Sequence, residues 1–333
     1  MALIDIFKIT PLERRLYAIE KASLVYNFIT TVLILIFVNQ LHHPATMLLE
    51  RLGILVLMGA AWGLYSWYPS RITAFVRMAL QMGLLAYWYP DTFEFNRLLP
   101  NIDPVFAQAD QLLFGCQPSL IFSQLFPSLW VSEAFNMGYF LYYPMIAVVA
   151  FYYFFFRPAE LEKVLFILIA SFFIYYLIYI VLPVAGPQFY FRAIGLDKVK
   201  EGIFPWVGDY FNHHTFLIKR PLFDEGFFYR LVESSQEVGE RPTAAFPSSH
   251  VGVSTICMLL SWRANRKLTY SLLLFYLLLC GATVYIQAHY LVDAIAGFFS
   301  ALLLYKTTAW LYDKIEAKTK LSGTVDERYT FSE

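Results

Sequence analysis

The pentapeptide FPSSH at residues 246–250 places two serines and a histidine where a polar loop turns into an apolar segment. Proline is favoured at a helix start, and Ser248 or Ser249 can cap that helix. Because the unpaired N–H groups of a helix N-terminus attract phosphate, the pattern predicts an anion site with His250 one turn inside the helix. The alternative is an ordinary capped helix with an interfacial histidine.

A second pentapeptide, HYLVD at residues 289–293, carries a histidine and an aspartate four positions apart. On a helix this spacing puts His289 and Asp293 on one face. A carboxylate that holds one nitrogen of an imidazole fixes its tautomer and makes the other nitrogen a better nucleophile or base. An aspartate beside hydrocarbon also needs a partner, and His289 is the nearest by sequence.

The elements that position these residues are predicted to be transmembrane helices. The 333 residues are 59% hydrophobic and 15% charged, with a mean hydropathy of +0.53, which suits a membrane rather than water. About eight apolar stretches are long enough to cross a bilayer. Arg51 and Arg77 must snorkel or face protein, so the number of spans could be seven or six. The predicted spans are 24–41, 48–67, 73–89, 134–156, 164–183, 247–262, 268–287 and 291–312.

The distribution of lysine and arginine predicts the orientation of these spans. Basic residues gather in alternate connecting segments, in the N-terminal segment and in the C-terminal tail, which we expect to be cytoplasmic. The segment 90–133 is acidic, and the turn at 288–290 has no lysine or arginine, so both are expected on the outer side, periplasmic or lumenal. The two histidine motifs therefore fall on the same outer face.

Composition also narrows the classes of ligand. The 25 basic and 25 acidic residues balance, which gives no case for nucleic acid. The three cysteines are far apart, no glycine-rich nucleotide loop is present, and the adjacent histidines 42–43 and 213–214 lack a carboxylate that would complete a zinc site. We therefore predict neither a metal nor a cofactor, and no nucleic acid as a partner.

The two pentapeptides resemble known signature motifs. FPSSH and the run ATVYIQAHYLVD are similar to the second and third motifs of the type 2 phosphatidic acid phosphatase superfamily, PSGH and SRxxxxxHxxxD, over about residues 163–312. The resemblance implies a six-helix phosphatase-type core preceded by extra N-terminal spans, in an all-α polytopic bundle. It implies that His289 is the nucleophile that forms a phosphohistidine, Asp293 its orienting carboxylate, His250 the general acid and Ser248 a phosphate ligand.

The chain departs from this pattern in its cations. The arginine of the third motif is replaced by Thr283, and the first motif, KxxxxxxRP, is missing after the fifth predicted span. In lacking these cations the chain resembles the inositol phosphorylceramide synthase branch of the superfamily. Sphingomyelin synthases use a similar pair of histidines. Fewer cations suit a diester better than a dianionic monoester. Replacement cations could come from outer loops, although each could equally be a solvated charge. The candidate substrate-binding residues are Ser248, Ser249, Thr283, Arg192, Lys219, Arg220 and Arg241.

These observations predict an integral-membrane phosphotransferase that moves a phosphorylated head group between phospholipids or sphingolipids. Hydrolysis of a lipid monoester is the close alternative, and a non-enzymatic transporter is the remote one. We expect N-terminal spans and an outer interfacial segment over 1–133, a catalytic membrane core over 134–312 and a cytoplasmic tail over 313–333. Glu133, Asn136 and Tyr139 recur at helical spacing and could line a head-group cavity or satisfy one another.

Overall fold

A computed structural model describes residues 3–217 and 226–329 as an assembly of helices. Within these residues no named β-strand is present, and three short 3₁₀ turns join the helices. The α-helices in chain order are α1 Ala18–Ile36, α2 Pro44–Trp67, α3 Arg71–Gly83, α4 Leu85–Asn96, α5 Asp103–Phe114, α6 Pro118–Leu125, α7 Leu129–Phe140, α8 Tyr142–Phe156, α9 Leu161–Val181, α10 Pro187–Ile194, α11 Leu196–Lys200, α12 Phe227–Gly239, α13 Ser249–Ala264, α14 Arg266–Tyr285 and α15 Leu291–Tyr329.

Five of the described helices are long and apolar enough to cross a membrane: α1, α2, α9, α14 and α15. Helices α7 and α8, which meet at Leu141 with a bend of 46°, are together long and apolar enough for a sixth crossing. The prediction of an all-α polytopic membrane bundle is therefore confirmed. The central helix is α9, because its span is 78% buried and it packs against α1, α4, α8, α13 and α15.

The segment predicted as one span at 73–89 is instead two helices, α3 and α4, separated at Leu84. Arg71 at the start of α3 donates to the carbonyl of Phe154 near the end of α8, at 2.6 Å. Asn96 at the end of α4 donates to the carbonyl of Tyr179, close to the end of α9, also at 2.6 Å. The pair therefore runs from one end of the bundle to the other. With 13 and 12 residues, each of the two helices alone is too short to cross a membrane.

The bundle has two distinct ends. At the first, Arg15 forms ion pairs with Glu162 at the start of α9 and with Glu316 far along α15, at 2.7 and 3.0 Å. We call this the termini end. The opposite end holds the start of α13 and the turn between α14 and α15, and we call it the histidine end because His250 and His289 lie there. Helix α13 has 16 residues and packs between α8, α9, α14 and α15.

The two arginines inside predicted spans face protein rather than lipid. The guanidinium of Arg51 pairs with Asp91 at 2.6 Å, and that of Arg77 pairs with Glu20 at 2.5 Å. All four side chains are almost fully buried. A buried charge is tolerated only when it is paired, so these ion pairs account for how α2 and α3 accommodate arginine.

Two sequence-based boundaries fall inside helices. The division expected at 133/134 lies within α7, and the division expected at 312/313 lies within α15, which continues to Tyr329. The segments predicted to be on the outer side form helices of their own, since α5 and α6 pack beside the histidine end and α12 packs against α7. The histidine end is therefore covered by short helices rather than by simple loops.

Candidate active site

The start of α13 is capped by Ser248, as the sequence predicts. The Ser248 hydroxyl accepts from the N–H of Val251 at 3.4 Å, and the N–H of Ser249 donates to the hydroxyl of Tyr179 at 3.1 Å. These backbone donors thus bind groups of the protein itself. The N–H groups of Ser249 and Val251, which the sequence pattern predicts to bind a phosphate, therefore already bind oxygens of Tyr179 and Ser248.

His250 lies in the first turn of α13 between two tyrosine rings. Its imidazole stacks on Tyr139 with ring centroids 4.6 Å apart and an interplanar angle of 23°, and it contacts Tyr142 at 4.5 Å. Tyr139 ends α7 and Tyr142 begins α8, on either side of the bend at Leu141. The two rings restrict the rotation of the imidazole and thereby fix where its nitrogens point.

His289 lies in the turn before α15, not on the helix itself. This corrects the expectation that His289 and Asp293 share one helix face. The reason is local: Gln287 adopts a left-handed conformation with φ of 65°, and the N–H of His289 turns back to the carbonyl of Thr283 at 2.9 Å. The turn separates α14 from α15 and aims the imidazole into the protein.

The atom that orients His289 is a backbone oxygen. Its Nδ1 donates to the carbonyl of Ala245 at 2.7 Å, whereas the nearest oxygen of Asp293 is 3.7 Å from Nδ1. Because a carbonyl can only accept, Nδ1 carries the proton, and Nε2 of the neutral ring keeps its lone pair. The predicted orienting carboxylate, Asp293, therefore does not hold the imidazole by a hydrogen bond: the carbonyl of Ala245 fixes the tautomer, and Asp293 lies in a longer electrostatic contact.

Asp293 also organises the start of α15. One of its carboxylate oxygens accepts from the N–H of Tyr290 at 2.9 Å, and the backbone carbonyl of Asp293 accepts from the N–H of Ser248 at 3.0 Å. Its side chain is fully buried. Asp293 therefore ties the turn that carries His289 to the cap of the helix that carries His250.

The two histidine rings form a pair. Their centroids are 5.8 Å apart at an interplanar angle of 63°. His289 is only 4% exposed, and burial lowers its pKa to about 4, while the bond to Ala245 and the charge of Glu240 act in the opposite direction. At neutral pH the His289 imidazole is therefore uncharged and its Nε2 can act as a nucleophile or base.

Two aspartates of α5 hold the turn from outside the bundle. Asp103 accepts from the N–H groups of Ala185 and Gly186, at 2.6 and 2.8 Å, and from the hydroxyl of Tyr290 at 2.9 Å. Asp110 accepts from the N–H groups of residues 291 and 292 at the start of α15. Burial raises the pKa of both carboxyls, and these donors counteract that effect. The sequence marked both only as acidic residues of an outer segment.

A cavity of about 690 Å³ opens beside His250 under α12. Tyr139, Ser249, His250 and Glu240 contribute polar groups to its wall, whereas the buried His289 is not among the described residues that line it. Sequence reasoning did not identify Glu240, whose carboxylate accepts from Tyr89 at 3.2 Å and from a glutamine amide at 3.3 Å. Burial raises the pKa of Glu240, and the proximity of His289 lowers it.

The helical set Glu133, Asn136 and Tyr139 divides between the two roles proposed for it. Tyr139 lines the cavity. Glu133 instead accepts from the N–H groups of Phe228 and Tyr229 at the start of α12, at 2.8 and 2.9 Å. Asn136 donates to the Ser132 carbonyl within its own helix. Glu133 therefore attaches the helix that covers the cavity to α7.

Of the four predicted substrate-binding cations, the structure describes Arg192 and Arg241. The exposed Arg192 donates to the carbonyl of Leu217 and stacks on Phe216, with no contact to either histidine in the described part of the chain. Arg241 adjoins Glu240 and donates to its carbonyl at 2.9 Å. Lys219 and Arg220 lie outside the described residues.

Thr283, which stands where the family has arginine, is fully buried. Its hydroxyl donates to the carbonyl of Cys280, so its described contact with the site is the backbone bond to His289. Two further polar side chains beside the site, Gln287 and Thr243, have buried atoms without a hydrogen-bond partner among the described residues. The same residues contain no cluster of three or more histidine, cysteine or acidic side chains able to hold a metal.

Comparison with known proteins gives one match. A family model described as the PAP2 superfamily matches residues 105–307, which include most of α5 and both histidines. No curated protein and no solved structure matches the chain with significance.

Proposed function

Because the chain belongs to the PAP2 superfamily, a family of phosphatases and phosphotransferases, we propose that it transfers a phosphorylated head group from a phospholipid to a lipid alcohol through a phosphohistidine. The observation that carries this proposal is the pairing of His289 with His250. Nδ1 of His289 is held by Ala245, which leaves Nε2 as the nucleophilic atom, and His250 lies 5.8 Å away between centroids.

The reaction has two steps. In the first, Nε2 of His289 attacks phosphorus, the bond from phosphorus to the alcohol oxygen of the donor lipid breaks, and a protonated His250 gives its proton to that oxygen. In the second, an acceptor hydroxyl attacks the phosphohistidine and gives its proton to His250, and the bond from phosphorus to Nε2 breaks. The anionic donor supplies the charge that favours protonated His250. No metal enters either step.

The electrostatics of the cavity support a diester as substrate. No lysine or arginine is among the described residues that line the cavity, whereas the carboxyl of Glu240 does line it. A carboxyl beside two imidazoles opposes a dianionic monoester more strongly than a monoanionic diester. Gln287, Thr243 and Ser249 are the uncharged groups that we assign to bind the phosphoryl oxygens. The head group that we favour is of the inositol phosphate type.

The proposed site faces the outer side of the membrane. With the termini end in the cytoplasm, the lysines and arginines of the N-terminal and C-terminal segments lie on the side that retains positive charge. The histidine end then faces the periplasm or a lumen.

The test is an assay of purified protein in detergent with 32P-labelled phosphatidylinositol or phosphatidic acid, with and without ceramide or diacylglycerol. We compare the wild type with His289→Ala and with His213→Ala, a control histidine that is exposed. We expect label to move onto the added lipid alcohol with the wild type and with His213→Ala, and we expect no transfer with His289→Ala. Acid-labile 32P on the protein should also require His289.

Other outcomes would select the alternatives. Free phosphate released from phosphatidic acid without an acceptor would make the chain a lipid phosphatase. Full turnover of all these substrates by His289→Ala would refute the mechanism. Lipid flux into vesicles that persists in a His289→Ala, His250→Ala double variant, with no label on the protein, would identify a transporter.

A further inference from the structure

A second cavity, of about 390 Å³, lies between α3–α4 on one side and α8–α9 on the other. On α8 its wall is formed at helical spacing by Tyr143, Ala147, Ala150 and Phe151. The opposite wall includes the small residues Ala79, Gly83 and Ala86. A methyl group added at Gly83 would meet no atom within 4 Å. The small side chains therefore leave a groove between the helices instead of filling it.

This groove adjoins the cavity that His250 lines. Four residues line both volumes: Ala86, Tyr143, Phe172 and Tyr176. The polar wall with Glu240 and His250 thus lies at one end, and an almost wholly apolar wall continues from it along α8 toward the termini end. From Tyr143 to Phe151 the apolar part extends about 12 Å, at about 1.5 Å per residue.

The groove also opens sideways. Tyr143 is 66% and Phe151 47% exposed, and both stand on a helix that forms part of a membrane crossing. An opening on this flank meets acyl chains rather than water. The lining offers only two tyrosine hydroxyls as polar groups, so it suits hydrocarbon better than ordered water.

We propose that this groove, between α3–α4 and α8–α9, binds an acyl chain of the lipid substrate while its phosphoryl group lies at the histidines. The proposal rests on the proposed function and adds to it a binding site that makes affinity depend on the length of the acyl chain. A lipid would enter laterally, with its head group following the chain toward His250. Chains too short to fill the groove would gain less from it.

The kinetic test compares Ala147→Phe with Val148→Phe. Ala147 lines the groove, whereas Val148 is the next residue on α8 and is 44% exposed on another face. Substrates are phosphatidylinositol with two hexanoyl or two oleoyl chains, with diacylglycerol as acceptor. We expect Ala147→Phe to raise KM for the oleoyl lipid about 50-fold, equivalent to about three methylene groups no longer buried, and to leave the hexanoyl lipid within about two-fold. Val148→Phe should change neither. Equal kinetics of Ala147→Phe and wild type on both lipids would overturn the proposal.

A binding test separates failure of the groove from failure of the chemistry. Phosphatidylinositol with a diazirine in the middle of one acyl chain is irradiated with full-length His289→Ala protein in nanodiscs. We expect the adducts to be concentrated in peptides 75–86 and 143–151. We expect these adducts to be lost when Ala147→Phe is introduced into the same His289→Ala protein. Adducts spread evenly over lipid-facing helices such as α2 would overturn the groove even if transfer requires His289. If Ala147→Phe does not fold, Ala79→Leu provides the same block from the opposite wall.

Discussion

Replacing Gly186 with alanine should disturb the turn that carries His289, the proposed nucleophile. The substitution leaves every side chain of the proposed reaction unchanged. Gly186 has φ of 91° and ψ of 165°, a region that is nearly exclusive to glycine, and an added Cβ would lie 2.7 Å from the carbonyl oxygen of Ala288. Ala288 directly precedes His289. The backbone strain costs about 1–3 kcal/mol, and the overlap adds about 1–3 kcal/mol unless the turn moves.

Gly195→Ala is a matched control. Gly195 has φ of 86° and ψ of 141°, so alanine there suffers similar backbone strain, but its Cβ would meet no atom within 4 Å. The difference between the two variants therefore reports the overlap with Ala288, together with the 3.2 Å contact that the added Cβ would make with the Cβ of Ala245. We expect Gly186→Ala to be about 1–3 kcal/mol less stable than Gly195→Ala. A displacement of His289 by about 1 Å should lower kcat by about 100-fold.

The assays are denaturation in detergent and the rate of 32P incorporation into the protein. Gly195→Ala should incorporate label at close to the wild-type rate, and Gly186→Ala far more slowly. If the two variants lose the same stability and label at the same rate, the contact between residues 186 and 288 does not position His289, and the reasoning is refuted.

Three further predictions concern charge. Burial lowers the pKa of His289 to about 4, and a protonated His289 cannot attack phosphorus. We therefore expect kcat/KM to fall as the pH drops through about 4 rather than through about 6.5, the ordinary value for histidine. A pH–rate profile with an acid limb near 6.5 would contradict this. Asp103→Asn should destabilise the protein by about 3 kcal/mol, because an amide cannot accept all four of the hydrogen bonds that the aspartate accepts. Tyr290→Phe removes only one of these hydrogen bonds and should cost about 1 kcal/mol. Denaturation curves that show equal losses of stability for the two variants would argue against Asp103 as the common acceptor. Arg77→Met should cost about 3–5 kcal/mol by leaving Glu20 buried without its partner, and adding Glu20→Met should recover part of that loss in the same measurement; a double variant less stable than the single one would refute the pairing argument.

The sequence was sufficient for the bundle and for the two histidines, because both depend on local signals. Apolar stretches of bilayer length predict spans, and a serine before an apolar run predicts the cap that Ser248 forms. The break at Leu84 was not predictable in this way, since the 73–89 stretch is apolar enough by composition and the helix change depends on packing against α8 and α9.

The details of the site depend on contacts between distant segments. The carbonyl that holds His289 belongs to Ala245, 44 residues earlier, and backbone oxygens have no residue signature. Glu240 is one acidic residue among many in the outer loops until folding places it on the cavity wall. Asp103 and Asp110 gave a weak signal, as carboxylates in an interfacial segment rich in aromatics, but their backbone partners could be found only from the fold.

The bend between α7 and α8 links two properties of the site mechanically. His250 is held between Tyr139 at the end of α7 and Tyr142 at the start of α8. Through Glu133, α7 also carries α12, which covers the cavity. A change in the 46° angle at Leu141 would therefore alter the packing of the two tyrosines against the imidazole and move α12 at the same time. A movement at this bend that widens the cavity would thus also free the His250 ring to turn.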